Sequence, residues 1–126
     1  RRAWDQAGET NGMVQPTLDL GTFDELKATA GADFVRELVD TFLTEAPAML
    51  DDLRRSFAAG NADSFRRAAH SLKSNSNTFG ALALGKLARD LELGGLAQVR
   101  DAPTSLDAIT AEYVRAADAL KALARE

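Results

Sequence analysis

The sequence predicts an all-α protein, an antiparallel four-helix bundle with an additional short N-terminal helix. Apolar residues recur every three or four positions in four long segments, as on one face of a helix. No segment alternates apolar and polar residues as a strand would, and no Asn-Gly turn joins two apolar runs. The connections between the helical segments are short, which places consecutive helices side by side in opposite directions.

The 126 residues are enough for one domain with its own core. Residues 1–20 are predicted to be a linker or a remnant of expression, because the segment is polar and rich in turn-forming residues. Residues 21–126 are then the bundle.

The first two helices are predicted from their end signals. Thr22 followed by Glu25 forms a capping box that would start a short helix, and Gly31 would end it. The second helix is predicted over residues 32–59. Pro47 removes a helical hydrogen bond, so we expect a kink at residues 45–47 or two abutting helices. The predicted buried positions of this helix are Phe34, Leu38, Phe42, Thr44, Met49, Leu50, Leu53 and Phe57.

The bounds of the remaining three helices are predicted from glycines, capping residues and one proline. Gly60-Asn61 would end the second helix and cap the third, which runs to about Phe79. The fourth would begin near Ala81 and end at Gly94-Gly95, with a connection to Pro103. Pro103-Thr104 would open the last helix, since proline is favoured in a first turn. Its predicted buried residues are Leu106, Ile109, Tyr113, Ala116, Ala117, Leu120 and Leu123.

The single histidine lies on the polar side of the third helix. At 100° per residue, His70 falls about 160° from Leu72 and from the apolar stripe around it. That stripe consists of Phe65, Ala68, Ala69, Leu72, Ser76 and Phe79. An exposed imidazole is either a solvated surface residue or a nucleophile or proton carrier, because its charge changes near neutral pH. Polar and cationic residues surround it, with Arg66, Lys73 and Asn77 on one side and Arg67 and Ser74 on the other.

Composition excludes several other classes of function. One histidine without any cysteine cannot form a zinc site, and the Glu-x-x-His pairs of di-iron bundles are absent. The net charge of −4 argues against nucleic acid as a partner. No P-loop and no apolar run of membrane-spanning length occurs in the sequence.

One short motif resembles a known family. His70-Ser71-Leu72-Lys73-Ser74-Asn75-Ser76, followed by Phe79-Gly80-Ala81, is similar to the H-x-L-K-G-S-[SA]…G-A signature of histidine-containing phosphotransfer (HPt) domains. With the helix pattern, the resemblance covers residues 21–126. Ser74 stands where the family usually has glycine, a small position that lets the partner approach the histidine. This departure leaves the transfer rate and partner preference open.

The resemblance implies a phosphorelay intermediate of two-component signalling. His70 would accept a phosphoryl group from a receiver-domain aspartate and pass it to another receiver. Lys73 would stabilise the phosphoryl group, while the partner would contact Arg66, Arg67, Ser74 and Asn77. No cofactor is expected on this domain, and Mg²⁺ would be bound by the partner receiver.

The resemblance also implies a monomer without autonomous kinase activity. The expected location is the cytoplasm, with or without tethering to a membrane-bound sensor kinase, and we expect no direct membrane contact. The chain starts without methionine, which favours the C-terminal piece of a hybrid sensor kinase over a free-standing protein.

Two alternatives remain at the level of sequence. A helical adaptor would bind a receiver domain without relaying phosphate. The dimerisation-and-histidine domain of a sensor kinase would need a motif like H-[ED]-[LI]-[KR]-T-P, which Ser71 and Ser74 do not match.

Overall fold

The computed structural model describes residues 17–124, which form five helices and no strand. The helices are α1 (Leu20–Ala30), α2 (Ala32–Ala59), α3 (Ala62–Thr78), α4 (Leu82–Asp101) and α5 (Ser105–Ala124). The four long helices pack in the cyclic order α2, α3, α4, α5 and back to α2, while α1 packs on α2 and α3. The predicted all-α bundle with a short first helix is therefore confirmed.

A single apolar core fills the space between the four long helices. Phe42 lies near its centre, with its ring centroid 5.4 Å from that of Phe79 and 6.0 Å from that of Tyr113. Offset and edge-on ring contacts of this kind add to the free energy gained by burying the rings. Among the largest side chains with almost no exposure are Phe23, Phe65, Leu53, Leu72, Leu84, Ile109 and Leu120.

The start of α1 differs from the sequence prediction. The helix begins at Leu20, and its N-cap is Asp19, whose Oδ2 accepts a hydrogen bond from the Thr22 backbone N–H at 3.1 Å. The capping box of Thr22 and Glu25 was wrong, because a better acceptor lies three residues earlier. Leu18, within the segment predicted to be linker, is buried in the core. Most of that segment, residues 1–16, lies outside the described residues.

Helix α2 has the predicted bounds but not the whole predicted face. Phe34 is 52% exposed and Thr44 is exposed, whereas the smaller Val35 is buried. The reason is helical phase: Val35 and Phe42 are seven residues apart and differ by about 20°, while Phe34 is offset by about 80°. The buried side of α2 consists of Val35, Val39, Phe42, Ala46, Leu50, Leu53 and Ser56.

Pro47 does not divide α2, which runs through it as one helix. The proline has no N–H to donate to the carbonyl of Leu43 four residues earlier. The hydroxyl of Tyr113, on α5, donates a long hydrogen bond of 3.4 Å to that carbonyl oxygen. A side chain from a neighbouring helix thus supplies the donor that Pro47 lacks, and the alternative of two abutting helices was wrong.

The ends of α3 are those predicted from its sequence. Gly60 ends α2 with φ +70°, and Asn61 caps α3 by accepting a hydrogen bond from the Ser64 backbone N–H at 3.1 Å. Beyond α3, Gly80 has φ +82°, and its carbonyl accepts a hydrogen bond of 2.7 Å from the Asp19 backbone N–H. This bond attaches the start of α1 to the turn between α3 and α4.

Helix α4 continues past its predicted end. Gly95 has non-helical angles of φ +65° and ψ −152°, but the chain resumes as helix and ends at Asp101. The restart is explained by burial of Leu96 and Val99, which hold the second segment against the core. A connection running from Gly95 to Pro103 was therefore wrong.

Helix α5 starts at Ser105, after a turn that contains Pro103. Its buried face includes a charged residue that the apolar pattern did not predict, Glu112, which is 6% exposed. Oε1 of Glu112 accepts a hydrogen bond of 2.9 Å from Nε of Arg115. None of the helices between residues 17 and 124 is long and apolar enough to cross a bilayer.

Candidate functional site

His70 projects from the exposed side of α3, as its helical phase predicted. Its side chain is 56% exposed. The opposite side of the helix is buried in the core through Phe65, Ala68, Ala69, Leu72 and Ser76. The position of the imidazole therefore follows from the amphipathic pattern of one helix.

A carboxylate on the neighbouring helix binds the imidazole. Nδ1 of His70 lies 2.8 Å from Oε2 of Glu92 on α4. The other carboxylate oxygen, Oε1, lies 2.8 Å from Nζ of Lys73. Glu92 is only 15% exposed and Lys73 only 26%, so these two side chains lie beneath the more exposed histidine.

Both contacts keep Glu92 ionised. The close contact with Lys73 contributes most, and the hydrogen bond with His70 next, to holding the pKa of Glu92 below its usual value. An ionised carboxylate only accepts hydrogen bonds, so the proton of the neutral imidazole is assigned to Nδ1. Nε2 then carries the lone pair on the side of the ring away from Glu92. In this arrangement the tautomer of the neutral ring is fixed, and Nε2 is the ring nitrogen whose lone pair is available.

Glu92 was missed in the sequence because it belongs to another helix. Nevertheless, the sequence contained a signal. Glu92 follows Gly85 by seven residues, so both lie on the same side of α4. Gly85 is the residue whose missing side chain makes room for Asn77 of α3, since an added Cβ would collide with the Asn77 amide. The close approach of α3 at Gly85 thus marks the side of α4 that faces α3.

The two arginines predicted to contact a partner bind the same acidic side chain. Arg66 lies 2.8 Å and Arg67 3.2 Å from the carboxylate of Asp63, in the first turn of α3. All three side chains are more than half exposed. Such exposed ion pairs contribute little to stability and exchange readily with an incoming anion. The cluster retains one uncompensated positive charge.

Ser74 and Asn77 differ in their surroundings. Ser74 is exposed, one turn after His70. Asn77 is also exposed, but its amide packs over Gly85 at the contact between α3 and α4.

Residues 17–124 contain no group of three or more acidic or histidine side chains placed to share a metal ion.

A sequence model of the Hpt domain family matches residues 37–126 of the chain. The chain belongs to this family. No curated protein matches the Hpt chain. Among solved structures, it is similar to the crystal structure of histidine-containing phosphotransfer protein B (HptB) from Pseudomonas aeruginosa PAO1. The two are 25% identical, the match covers 89% of this chain and 97% of that chain, and the TM-score is 0.79.

The resemblance seen in the motif is therefore confirmed, and the Hpt chain has a phosphorelay role in two-component signalling. HPt domains generally interact with receiver domains of response regulators. Within the Hpt bundle, the motif begins at the exposed His70 on α3 and ends at Gly80-Ala81 in the turn after α3, where Gly80 contacts Asp19.

An open groove of about 420 Å³ flanks α3 on the side away from Glu92. It lies between α2 and α3, and Arg67 and Ser71 contribute to it. The other lining residues are Met49, Asp52, Arg55, Ser56, Ser64 and Ala68. The phosphotransfer motif of this Hpt chain thus has a groove on its α2 side and the Glu92 carboxylate on its α4 side.

Proposed function

We propose that His70 accepts a phosphoryl group from a phosphorylated aspartate of a receiver domain and passes it to an aspartate of another receiver. The observation that carries this proposal is the contact of Nδ1 with Glu92 in a ring that is more than half exposed. One ring nitrogen is held by the protein, and the other is available to a partner. Membership in the Hpt family supports the same role.

The transfer begins when the lone pair of Nε2 attacks the phosphorus atom of the aspartyl phosphate. The new bond is P–N, and the bond that breaks joins phosphorus to the aspartate oxygen, which leaves with the electron pair as a carboxylate. No proton has to move, because the neutral ring keeps its proton on Nδ1. In the second transfer, the carboxylate of another receiver attacks phosphorus, and Nε2 recovers its lone pair.

Glu92 acts as a positioning residue in this scheme. Its carboxylate keeps the proton on Nδ1, so that Nε2 is the nucleophile. Once the P–N bond forms, the ring becomes positively charged, and the adjacent carboxylate stabilises that charge. The same group therefore favours both the reactive tautomer and the phosphorylated product.

Lys73 is the cation that shares the Glu92 carboxylate with His70. It lies one turn after His70 and is bound to Oε1 of Glu92. We expect its ammonium group to turn from Glu92 toward the phosphoryl oxygens as negative charge arrives. Arg66, Arg67, Ser74 and Asn77 would contact the partner around the ring, and any Mg²⁺ required would be bound by the receiver.

The test is incubation with a radiolabelled phospho-receiver, comparing the unaltered protein with His70→Gln. The label should move to the unaltered protein, be acid-labile and alkali-stable as expected of phosphohistidine, and be absent from the variant. Because the ring is exposed, His70→Gln should remain folded. If receivers bind the protein without labelling it, the helical adaptor is the better description.

A further inference from the structure

Helix α4 carries an outward-facing stripe of two cations and one leucine, Lys86, Arg89 and Leu93. We propose that this α4 stripe is a second docking surface, which binds the receiver domain beside His70. The inference rests on the proposed function, because the partner is the receiver that exchanges phosphate with His70. It adds a contact on α4 to the partner-facing residues of α3.

The three residues lie on one side of the helix. Arg89 lies three positions after Lys86, and Leu93 lies seven positions after Lys86. All three side chains therefore fall within about 60° of one another around the helix axis. Leu93 is 72% exposed and Lys86 is 63% exposed, and Arg89 is exposed too. Leu93 is more exposed than the other large apolar side chains that reach solvent, Leu20, Phe34 and Val114.

The α4 stripe lies next to the phosphoacceptor. Asn77 of α3 packs on Gly85 of α4. His70, seven residues before Asn77, contacts Glu92, seven residues after Gly85. The two helices are thus antiparallel in this register. Arg89 comes one turn before Glu92, and Leu93 directly follows it. A partner that covers the ring of His70 would meet both side chains at its edge.

The charge of the α4 stripe suits an acidic partner. The cations of α3 are all bound by carboxylates of the chain itself, Lys73 by Glu92, and Arg66 and Arg67 by Asp63. Arg89, by contrast, forms no salt bridge with any residue between 17 and 124. Lys86 has a weak partner in Asp90, at 3.4 Å. A receiver offers an aspartyl phosphate and metal-binding carboxylates around it, so its rim is acidic.

Leu93 and Arg89 together place an exposed apolar side chain beside an exposed cation, next to the carboxylate that contacts His70. In protein interfaces a few side chains, arginine prominent among them, carry most of the binding free energy, and the neighbouring contacts exclude water from them. The charges at the rim mainly raise the association rate. The occupant that fits the α4 stripe is therefore a receiver surface with an apolar spot next to acidic side chains.

The experiment measures phosphoryl transfer from a labelled phospho-receiver over a range of receiver concentrations, for Arg89→Ala, Leu93→Ala and the double variant. Each substitution should raise the receiver concentration at half-saturation about tenfold, which corresponds to losing one good interface contact. The rate at saturation should stay unchanged. Arg89→Ala should also make the half-saturation value less sensitive to salt. The matched controls, Val114→Ala and Lys121→Ala on α5, should leave both quantities unchanged.

Each outcome either supports or overturns the proposed docking surface. An unchanged half-saturation value in Arg89→Ala and Leu93→Ala, with normal transfer to the unaltered protein, would overturn the docking surface and leave the proposed function standing. A lower rate at saturation without a change in half-saturation would also overturn it, since Arg89 would then act on the phosphoryl group. If the unaltered protein accepts no phosphate from any receiver, the proposed function fails and the docking surface with it. Thermal melts verify that the exposed substitutions leave the bundle folded.

Discussion

Nδ1 of His70 and Oε2 of Glu92 lie 2.8 Å apart, although the two residues are 22 positions apart in the chain. This distance joins α3 to α4 at the point where the phosphoryl group is proposed to bind. It fixes which ring nitrogen is protonated, and it connects the histidine to Lys73 through one carboxylate.

Glu92→Ala should slow transfer from a phospho-receiver by tenfold or more, because a hydrogen bond to a charged group contributes about 1.5–3 kcal/mol. Glu92→Gln should lose less, since its amide oxygen can still accept from Nδ1. Single-turnover rates measure the effect, and ¹⁵N chemical shifts of the imidazole measure the tautomer directly. An unchanged proportion of protonated Nδ1 in Glu92→Ala would show that the carboxylate does not orient the ring.

The contacts of Glu92 should also make folding stability depend on pH. Its pKa is lower in the folded protein than the usual value of 4.5. A depressed carboxyl pKa contributes stability that is complete above about 4.5 and is lost as the pH falls through the folded value. The stability difference between the unaltered protein and Glu92→Gln should therefore shrink as the pH falls below about 4.5. Urea unfolding of both proteins at a series of pH values measures it, and a constant difference down to pH 3 would contradict the assigned cause.

Lys73→Ala should slow phosphoryl transfer about tenfold or more, since preorganised cations stabilise phosphoryl charge, and it should leave the bundle folded. Lys73→Arg should recover part of the rate. Lys121→Ala, an exposed lysine on α5, is the matched control for loss of one positive charge. Equal single-turnover rates for Lys73→Ala and Lys121→Ala would remove the role assigned to Lys73.

Ser74→Gly tests whether the usual glycine of the family matters at this position. Replacing serine by glycine inside α3 should cost roughly 0.5 kcal/mol of stability, while transfer should be as fast or faster if approach of the partner limits the rate. Ser71→Gly, in the same helix, should cost similar stability without a gain in rate. Chemical denaturation and single-turnover kinetics separate the two effects. A strong loss of rate in Ser74→Gly alone would indicate that the hydroxyl participates.

Gly80→Ala should be the more damaging of two glycine substitutions. Both Gly80 and Gly60 have positive φ, +82° and +70°, where a side chain costs about 1 kcal/mol. At Gly80 the added Cβ would also lie 2.6 Å from the carbonyl oxygen of Asp19, whereas nothing lies within 4 Å at Gly60. We expect a loss of about 2–4 kcal/mol for Gly80→Ala and about 1 kcal/mol for Gly60→Ala. Equal unfolding midpoints would mean that α1 moves away freely from the turn.

The parts of the fold that the sequence predicted best depend on local chemistry. Gly60 and Asn61 set the ends of two helices through backbone angle and side-chain capping, so α2 and the start of α3 were predicted correctly. The orientation of His70 followed from periodicity within one helix. Phe34 shows the limit of such arguments, because adjacent apolar residues allow two helical phases and only packing against other helices selects one.

The site was predictable only as far as it lies on α3. Glu92 belongs to α4, and its contact with His70 depends on how far the two helices are shifted along each other. That shift is set by the packing of Asn77 on Gly85, and the glycine alone indicates the side of α4 that is approached but not the residue of α3 that packs on it. The restart of α4 after Gly95 also depends on distant packing, through Leu96 and Val99.

The pairing of Pro47 with Tyr113 makes the order of substitutions matter. If Pro47 is replaced first, the new residue brings an N–H that can bond to the carbonyl of Leu43, and the tyrosine hydroxyl becomes dispensable. If Tyr113 is replaced by phenylalanine first, that half-buried carbonyl loses its donor while the proline still cannot provide one. Replacement of Pro47 before Tyr113 is therefore the order that never leaves the Leu43 carbonyl without a donor.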